Sequence, residues 1–407
     1  MDDILPASIL HWNYRGFTEF PMKQISGEET DITDIYLKEN LISKIPPDIG
    51  RLQNLESLYL SGNDIASLPR EISKLRSLKC LDVSGNRLRC IPDEIGELRR
   101  LKFLILDENE LRELPTRLGE LRSLRYLSVC DNNLEWLPQR VVYNYYHCEF
   151  RFWRNRSLSA IPYSLWYHMF RDQQTRSLSI GCLSAPQTNP TTNNCRYRLQ
   201  VPQDSGHREY IIHCPRTYQN IDHTNTPPSL YELCRRSFYQ YLCDSTKELN
   251  TDLDKNLSPY SWSNYYKDES NILNLQDSLE DCNIGDVNGN VTDYDKAMQR
   301  FKLNYNTIYK IRPVPYYVPK DVIDKCFSCL PSFMKDEFTK GPISRCENVN
   351  CKKPLFDFVC FEFCFGKIIL IENTEEVLLS AAFCSKSCAD VWKKDKDVIA
   401  TNLLITN

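Results

Sequence analysis

The sequence predicts an α/β fold: a solenoid of stacked 23-residue repeats, then short helices, then a small cysteine-rich C-terminal domain. Two observations support this prediction. Asparagine recurs at a constant step of 23 residues from Asn40 to Asn155, and cysteines cluster near the end of the 407-residue chain. A constant period of this length is typical of chains whose coils stack side by side.

Each repeat combines leucines, an asparagine and a proline in one order. A pair of leucines around one residue points inward from a short strand, the asparagine bonds backbone groups of a tight turn, and the proline ends the strand. This is the leucine-rich-repeat pattern, and one coil cannot bury its leucines alone, so the coils must stack. We place the solenoid at residues 9–170. The fourth copy reads Leu101, Leu104, Leu106, Asn109, Leu111, Leu114, Pro115, Leu118 and Leu121.

The strand positions between and beside the inward leucines form a concave wall that faces solvent. Aromatic residues are frequent there and charged residues flank them, a composition typical of protein-binding hot spots. The alternative is that the aromatic side chains only stack along the sheet. We expect a client protein to contact Tyr36, Tyr59, Asp82, Phe103, Ile105, Tyr126, Arg151 and Trp153.

Composition and motifs exclude several other function classes. The net charge of −4 argues against a strongly basic nucleic-acid binder, and apolar runs of membrane-spanning length do not occur. The N-terminus does not read as a secretory signal, so we expect a cytoplasmic or nuclear protein. With neither a glycine-rich phosphate loop nor a nucleophile elbow, we expect a non-catalytic adaptor without catalytic residues.

The centre of the chain does not follow the repeat. Residues 171–226 are rich in Gln, Asn, Thr, Ser and Pro, which predicts an irregular or disordered insertion with at most a short strand at 210–212. Residues 244–310 form a second insertion whose start, up to about residue 295, is acidic, and we expect disorder there as well.

Between these insertions, residues 227–243 predict an amphipathic helix. Ser229 suits the N-cap and Glu232 completes a capping box. One face then carries Leu230, Leu233, Cys234, Phe238 and Tyr241. From periodicity alone, the favoured interpretation is a helix that packs this face on the end of the solenoid.

Residues 311–340 contain two segments in which a proline suits the first turn of a helix. One contains Val318, Pro319 and Val322, and the other contains Leu330, Pro331 and Met334.

Residues 341–395 contain two cysteine pairs on either side of a strand-like stretch. Cys346 and Cys351 form the first pair, and Cys384 and Cys388 form the second. This layout predicts a zinc-ribbon-like structural site, in which four thiolates close the coordination sphere and leave no position for a reacting water. Buried free thiols are the alternative. Further candidate ligands are Cys360, Cys364, Cys326 and Cys329.

The order of repeats, Pro-Pro-Ser-Leu-x-x-Leu-Cys helix, proline-led helix and cysteine pairs resembles the family of leucine-rich repeat-containing proteins 58 and 28. The Ser229 helix also resembles the elongin-binding box, with Ser229, Leu230, Cys234 and Phe238 at its defining places. This resemblance implies that Leu230 enters a pocket of elongin C. It also implies that a hydrophobic-Pro-x-x-hydrophobic stretch selects cullin-2, and both proline-led segments fit that form.

Two functions follow from these patterns. The first is a substrate receptor of an elongin-cullin-RING E3 ubiquitin ligase, in which the concave wall holds the client, elongin B/C binds the Ser229 helix, and partner proteins transfer ubiquitin. The second is a non-ligase signalling scaffold of the Ras-pathway or phosphatase-binding type, in which the helix only packs.

Overall fold

A computed structural model provides the structure of the chain. It describes residues 8–25, 31–121, 123–139, 148–167, 174–175, 196–203, 206–213, 228–253, 318, 323–324, 328, 330–370, 374–394 and 402–406. The chain divides into two compact units, one formed by Met1–Arg236 with Lys340–Asn407 and the other by Ser237–Thr339.

Seven short parallel strands form one continuous sheet in the first unit, and each strand pairs with the next strand of the chain. The register places Leu58 opposite Leu81 and Leu81 opposite Leu104, so the inward leucines of successive coils stack on one another. All three leucines are fully buried, which is the burial that a single coil could not achieve. The strands are β1 (Ser8–His11), β2 (Ile32–Tyr36), β3 (Ser57–Tyr59), β4 (Cys80–Asp82), β5 (Phe103–Ile105), β6 (Tyr126–Ser128) and β7 (Glu149–Arg151). A short helix, α1 (Met22–Ile25), lies between β1 and β2.

The convex side of the central coils consists of single 3-10 turns. A proline precedes each turn in an extended conformation, for example Pro46 at φ −73° and Pro69 at φ −71°. The ring fixes φ in this range and removes the N–H that a strand would need, so the chain leaves the sheet and turns back. The turns are Pro47–Arg51, Arg70–Lys74, Asp93–Glu97 and Thr116–Glu120.

The repeated asparagines bond each coil to the coil before it. The amide nitrogen of Asn132 donates to the carbonyl oxygens of Leu106, Val129 and Cys130 at 2.9, 3.2 and 3.0 Å. Its side-chain oxygen accepts the backbone N–H of Leu111 at 3.0 Å. The asparagine therefore gives the buried N–H of Leu111 its acceptor, and it shares the three carbonyl oxygens with donors from Asn109, Asn155 and Glu108.

The cysteine-rich region closes the C-terminal end of the solenoid. Its four-stranded sheet has the order β8-β15-β14-β9, and β8 follows directly from the last coil and pairs in parallel with β15. The elements are β8 (Ile161–Pro162), α2 (Tyr163–Leu165), β9 (Gln174–Thr175), β12 (Ser344–Arg345), β13 (Pro354–Leu355), β14 (Cys360–Leu370), β15 (Thr374–Phe383) and α5 (Lys386–Lys394).

Side chains join this sheet to the solenoid in one core. Trp136 packs edge to face on Phe361, with ring centroids 5.5 Å apart. The side-chain amide of Gln139 donates to the hydroxyl of Ser380 at 2.7 Å, and both residues are buried. The last coil therefore does not end in solvent, and the cysteine-rich region acts as its cap.

The sequence-based expectation for residues 171–226 requires a correction. Two eight-residue strands, β10 (Arg196–Gln203) and β11 (Gly206–His213), form an antiparallel hairpin there, and β16 (Asn402–Thr406) pairs with the other edge of β10. Leu199 and Ile212 are fully buried. Their alternation with polar neighbours is a strand pattern, which the polar composition of the flanking residues hides.

The helix after Pro228 is longer than the sequence predicts. α3 (Leu230–Leu253) continues ten residues into the range 244–310, where disorder is expected, and the rest of that range lies outside the described residues. In the second unit, Phe338 of α4 (Ser332–Lys340) packs on Phe238 of α3, with ring centroids 5.1 Å apart. Among the described helices, α3 included, none is both long and apolar enough to cross a membrane.

Stability of the solenoid is predicted to depend on the asparagine ladder, and Asn132 and Asn133 offer a matched pair. Asn132→Ala leaves the buried N–H of Leu111 without its acceptor and removes one of two bonds to each of three carbonyl oxygens, and it should lower the free energy of unfolding by about 2 to 4 kcal/mol. Asn133→Ala changes an exposed side chain and should alter stability by less than about 0.5 kcal/mol. Urea unfolding of both variants measures the difference, and equal effects would contradict the role of the ladder.

Candidate functional site

The concave wall begins with a stack of three aromatic rings. Tyr36 and Tyr59 lie 4.7 Å apart at an interplanar angle of 10°, and His11 stacks on the other side of Tyr36 at 4.7 Å. The ammonium of Lys38 lies 4.9 Å above the ring of Tyr59. His11 was not among the predicted wall residues, because β1 precedes the first repeat and its place in the sheet has no asparagine to mark it.

The middle of the wall is more polar and less accessible than the sequence predicts. Asp82 is only 6% exposed, because it lies 3.5 Å from the ammonium of Lys38 and accepts the hydroxyl and N–H of Ser84. Asp82 therefore contributes charge at the floor of the wall rather than an open contact surface.

The C-terminal half of the wall offers apolar contact area. Phe103 is 44% exposed, and Ile105 is half-buried beside it. The guanidinium of Arg151 lies 5.3 Å from the ring centre of Tyr126 and also pairs with Glu149 at 2.6 Å. Trp153, half-buried, follows in the last coil. The predicted residues thus lie on one sheet face, with the exposed aromatic surface toward its C-terminal half.

Four cysteines meet at the cap. The sulfur atoms of Cys346, Cys351, Cys384 and Cys388 all lie within 4.8 Å of one another. Cys384 Sγ is 3.5 Å from Cys351 Sγ and 3.5 Å from Cys388 Sγ, too far for a disulfide bond. A tetrahedral zinc with Zn–S bonds of about 2.3 Å separates its sulfur atoms by about 3.8 Å, so this arrangement is compatible with a structural zinc ion.

The local fold differs from a ribbon in its second pair. Cys346 and Cys351 lie on the loop between β12 and β13. Cys384 directly follows β15, and Cys388 lies in the first turn of α5. The second pair therefore comes from a strand-to-helix junction, and the three-residue gap places both sulfurs on the same side of that turn.

Hydrogen bonding among the thiols already favours one thiolate. The bond from Cys346, and further bonds from Cys351 and Cys388, lower the pKa of Cys384 to about 5 although burial opposes this. The same bond and burial raise the pKa of Cys346. Hydrogen bonds that lower the pKa of Cys384 favour its thiolate form, which is the form that metal ligation requires.

Two of the further candidate ligands, Cys360 and Cys364, do not join this cluster. Cys360 and Cys364 lie on β14 and are buried in the apolar core, and burial raises the pKa of the Cys360 thiol to about 12. Cys326 and Cys329 lie outside the described residues.

Helix α3 is inverted relative to an ordinary amphipathic helix. Its polar residues Glu232, Arg235 and Arg236 are buried, although they are the charged residues of its first turns. By contrast, Leu230 is 77% exposed and Leu233 is 43% exposed, and Cys234 is exposed beside them. The packing interpretation of this face is therefore wrong for its first two turns.

The buried polar face rests on the cap through Glu232. One carboxylate oxygen accepts the N–H of Phe356 at 3.1 Å and pairs with Arg236 at 2.7 Å, and the other pairs with Arg235 at 2.7 Å. Arg235 also pairs with Asp357. Burial alone would raise the pKa of Glu232, but the bonds from both arginines and from the backbone outweigh it and lower that pKa.

Ser229 caps α3 as the sequence predicts, but the capping box is incomplete. The hydroxyl of Ser229 accepts the N–H of Glu232 at 3.2 Å. The Glu232 carboxylate accepts N–H groups of the cap instead of bonding back to Ser229. Glu232 therefore docks the helix on the cap and does not complete the capping box.

The remaining box and cullin positions fall in the second unit. Phe238 is half-buried against Phe338. Val318 is buried, and its N–H donates to the hydroxyl of Tyr239 at 2.8 Å, while Pro319 and Val322 lie outside the described residues. In the other segment, Pro331 is exposed, and Leu330 and Met334 are half-buried.

Docking of α3 is predicted to depend on the Glu232 carboxylate. Glu232→Ala leaves the buried guanidinium of Arg236 without its counter-charge and leaves Arg235 with Asp357 alone, and it should cost about 3 to 5 kcal/mol of local or global stability. Because the folded-state pKa is lowered, the carboxylate stabilises the fold fully above about pH 4.3, and the stabilisation disappears as pH falls through the lower folded value. Denaturant unfolding at pH 7 and below pH 4 should show the difference from wild type shrinking on acidification; a constant difference would contradict this.

Comparisons with known proteins concern the repeats. Residues 30–88 match the family described as Leucine rich repeat. Comparison with curated proteins found no match.

This chain also resembles stretches of three solved structures, and it spans less than two thirds of the length of each of them. An LRR protein of Leptospira interrogans is 31% identical over 33% of this chain and 34% of its own, with a TM-score of 0.29. The plant peptide hormone receptor RGFR1 in complex with RGF2 is 30% identical over 26% of this chain and 17% of its own, with a TM-score of 0.25. The BIR3–SERK2 complex from Arabidopsis thaliana is 30% identical over 26% and 60%, with a TM-score of 0.22. The 23-residue period, the parallel sheet and the family match together make the solenoid of this chain a leucine-rich-repeat domain.

Proposed function

We propose that this protein is a substrate receptor of an elongin-cullin-RING E3 ubiquitin ligase. Leucine-rich-repeat proteins are typically non-catalytic binding scaffolds, so the reaction itself would belong to the partner proteins. The observation that carries the proposal is the outward apolar face of α3, formed by Leu230, Leu233 and Cys234.

The exposure of this apolar face follows from how α3 docks, because the opposite, charged face is the one that is buried. Single exposed apolar side chains are normal, but here a row at helical spacing stays in solvent while charged neighbours are buried. A helix that docks through its polar side presents its apolar side for a groove on another protein. The spacing Ser229, Leu230, Cys234 and Phe238 is also the spacing of the elongin-binding box.

The cullin step would use the proline-led segment before α4. Pro331 is exposed at the helix start, with Leu330 and Met334 accessible in part beside it. In the other segment Val318 is buried and its N–H is already bonded, which leaves less of it for a partner. For this reason we propose the segment at 330–334, rather than the one at 318–322, as the contact with cullin-2.

The client would bind the concave wall. Phe103 gives exposed aromatic area, Tyr36 and Tyr59 give a flat stacked surface, and Arg151 supplies charge at the C-terminal end. Rigid aromatic groups with charges at their edge are the residues that most often dominate the binding energy of an interface.

The cysteine cluster would hold one structural zinc. Four thiolates fill a tetrahedral coordination sphere, so this metal would stabilise the cap and leave no position for substrate.

Binding to purified elongin B/C tests the recruiting face directly. Wild type should bind, and Leu230→Ala combined with Cys234→Asp should weaken binding by at least about 100-fold, because a pocket-filling leucine and its neighbour are lost. Tyr14→Asn is the matched control, since Tyr14 is also 77% exposed but lies at the other end of the solenoid. Isothermal titration measures all three proteins.

Absence of binding by the wild-type protein would reject the ligase proposal. A signalling scaffold of the Ras-pathway or phosphatase-binding type would then be the remaining interpretation. Equal weakening by Tyr14→Asn would show that the measured binding is a general property of exposed apolar side chains rather than of α3.

Zinc content tests the metal site. Protein purified without chelator should contain about one equivalent of zinc, and Cys351→Ser should lower both the content and the melting temperature. Cys90→Ser, which changes an exposed cysteine away from the cluster, should leave the zinc content as in wild type. Less than about half an equivalent in wild type would count against the zinc site.

A further inference from the structure

The guanidinium of Arg236 links the recruiting helix to the metal centre. Its Nη1 donates to the backbone carbonyl of Cys384 at 3.2 Å, and its Nη2 donates to the carbonyl of Phe358 at 2.5 Å. Its Nε donates to Glu232 at 2.7 Å within α3. One side chain of the helix therefore bonds directly to the backbone of one of the four clustered cysteines.

Other contacts of the same helix face end on the same short segment. Glu232 accepts the N–H groups of Phe356 and Asp357, and Arg235 pairs with Asp357. The polar face of α3 thus depends on residues 356–358, just before β14, and on Cys384, just after β15, and the register Cys360 opposite Phe383 places both at the open end of the hairpin.

We propose that Arg236 is a positioning residue through which the occupied metal centre determines whether α3 presents its apolar face. The last step of this proposal, presentation of the face to elongin B/C, rests on the proposed function. The coupling between the metal and the helix rests only on the zinc site proposed above and needs no ligase partner.

The physical reason is the cost of a buried guanidinium without fixed acceptors. A bound metal holds the sulfurs of Cys384 and Cys388 against those of Cys346 and Cys351, and this holds the Cys384 carbonyl in place. Without the metal that carbonyl is free to move, and a buried arginine that loses its acceptors is unfavourable. The helix then leaves the cap in a fraction of molecules, and the apparent affinity for a partner falls by that fraction.

Linkage makes the coupling testable without any partner. If the metal favours the docked helix, the docked helix must favour the metal by the same factor. Arg236→Gln should therefore weaken zinc binding about tenfold in competition with a chromophoric chelator, with Arg236→Lys less affected because it keeps the charge. Arg156→Gln, at an exposed arginine of the solenoid, should bind zinc as wild type does.

Hydrogen exchange of the full-length protein follows the helix itself. Removing zinc from wild type should reduce protection of the amides of residues 232–236 about tenfold or more, while strands β3 to β5 keep theirs. Arg236→Gln loaded with zinc should show the same loss in the helix. If Arg236→Gln does not fold, exchange of the wild-type protein with and without zinc still decides whether the metal and the helix are coupled.

Binding of elongin B/C is a further measurement, and it tests whether the coupling changes presentation of the apolar face. Zinc removal and Arg236→Gln should each weaken it about tenfold, and zinc removal should add little in the variant, since both act on one contact. Unchanged helix protection after zinc removal, or unchanged zinc affinity in Arg236→Gln, would overturn the coupling. If wild type binds no elongin B/C, the proposed function fails and the exchange and zinc measurements still judge the coupling.

Discussion

A stack of coils has an open end, and closing that end is the constraint on which the rest of this structure depends. The inward side chains of the last coil, Phe150 and Phe152, would face water without a cap. Here the cap comes from residues far along the chain: β15 pairs with β8, and Phe361 packs on Trp136. The cysteine-rich region is therefore part of the solenoid's core, rather than a separate module joined by a linker.

The cysteine cluster lies where two parts of the structure meet, the cap and the docked end of α3. It holds the loop between β12 and β13 against the start of α5, and it holds the backbone that the polar face of α3 contacts. The N–H of Glu347 also bonds the carbonyl of Ala382 at 2.9 Å, so the loop is joined to β15 as well. Anything that loosens the cluster therefore acts on both the cap and the helix.

The sequence predicts those parts whose pattern is local. A repeat of 23 residues specifies coil, strand and turn within one window, so the sheet, the proline-led turns and the asparagine bonds were all predictable. The four cysteines were predictable as a set for a similar reason, since pairs at short spacing are recognisable. Strand β1 with His11 precedes the first asparagine of the repeat and was not predicted. The hairpin of β10 and β11 lies outside the repeat, and the sequence predicted only a short strand at 210–212 there.

The orientation of α3 was not predictable, because it depends on partners more than 120 residues away. Periodicity places Leu230 and Cys234 on one face and leaves open which face is buried. The decision lies with the backbone N–H groups of Phe356 and Asp357, which Glu232 accepts, and neither the sequence of the helix nor its composition contains that information.

Turning α3 by half a turn shows why the polar face is the one that docks. Burying Leu230 and Leu233 in place of the charged residues would contribute about 1.5 to 3 kcal/mol for each leucine. It would also leave the N–H of Phe356 without its acceptor and remove the acceptor of the Asp357 N–H, each costing about 1 to 3 kcal/mol. The gain and the cost are of similar size, so the network adds little net stability and instead specifies orientation. A buried charged network that sets which face is free is the expected device where the apolar face has to stay available for another protein.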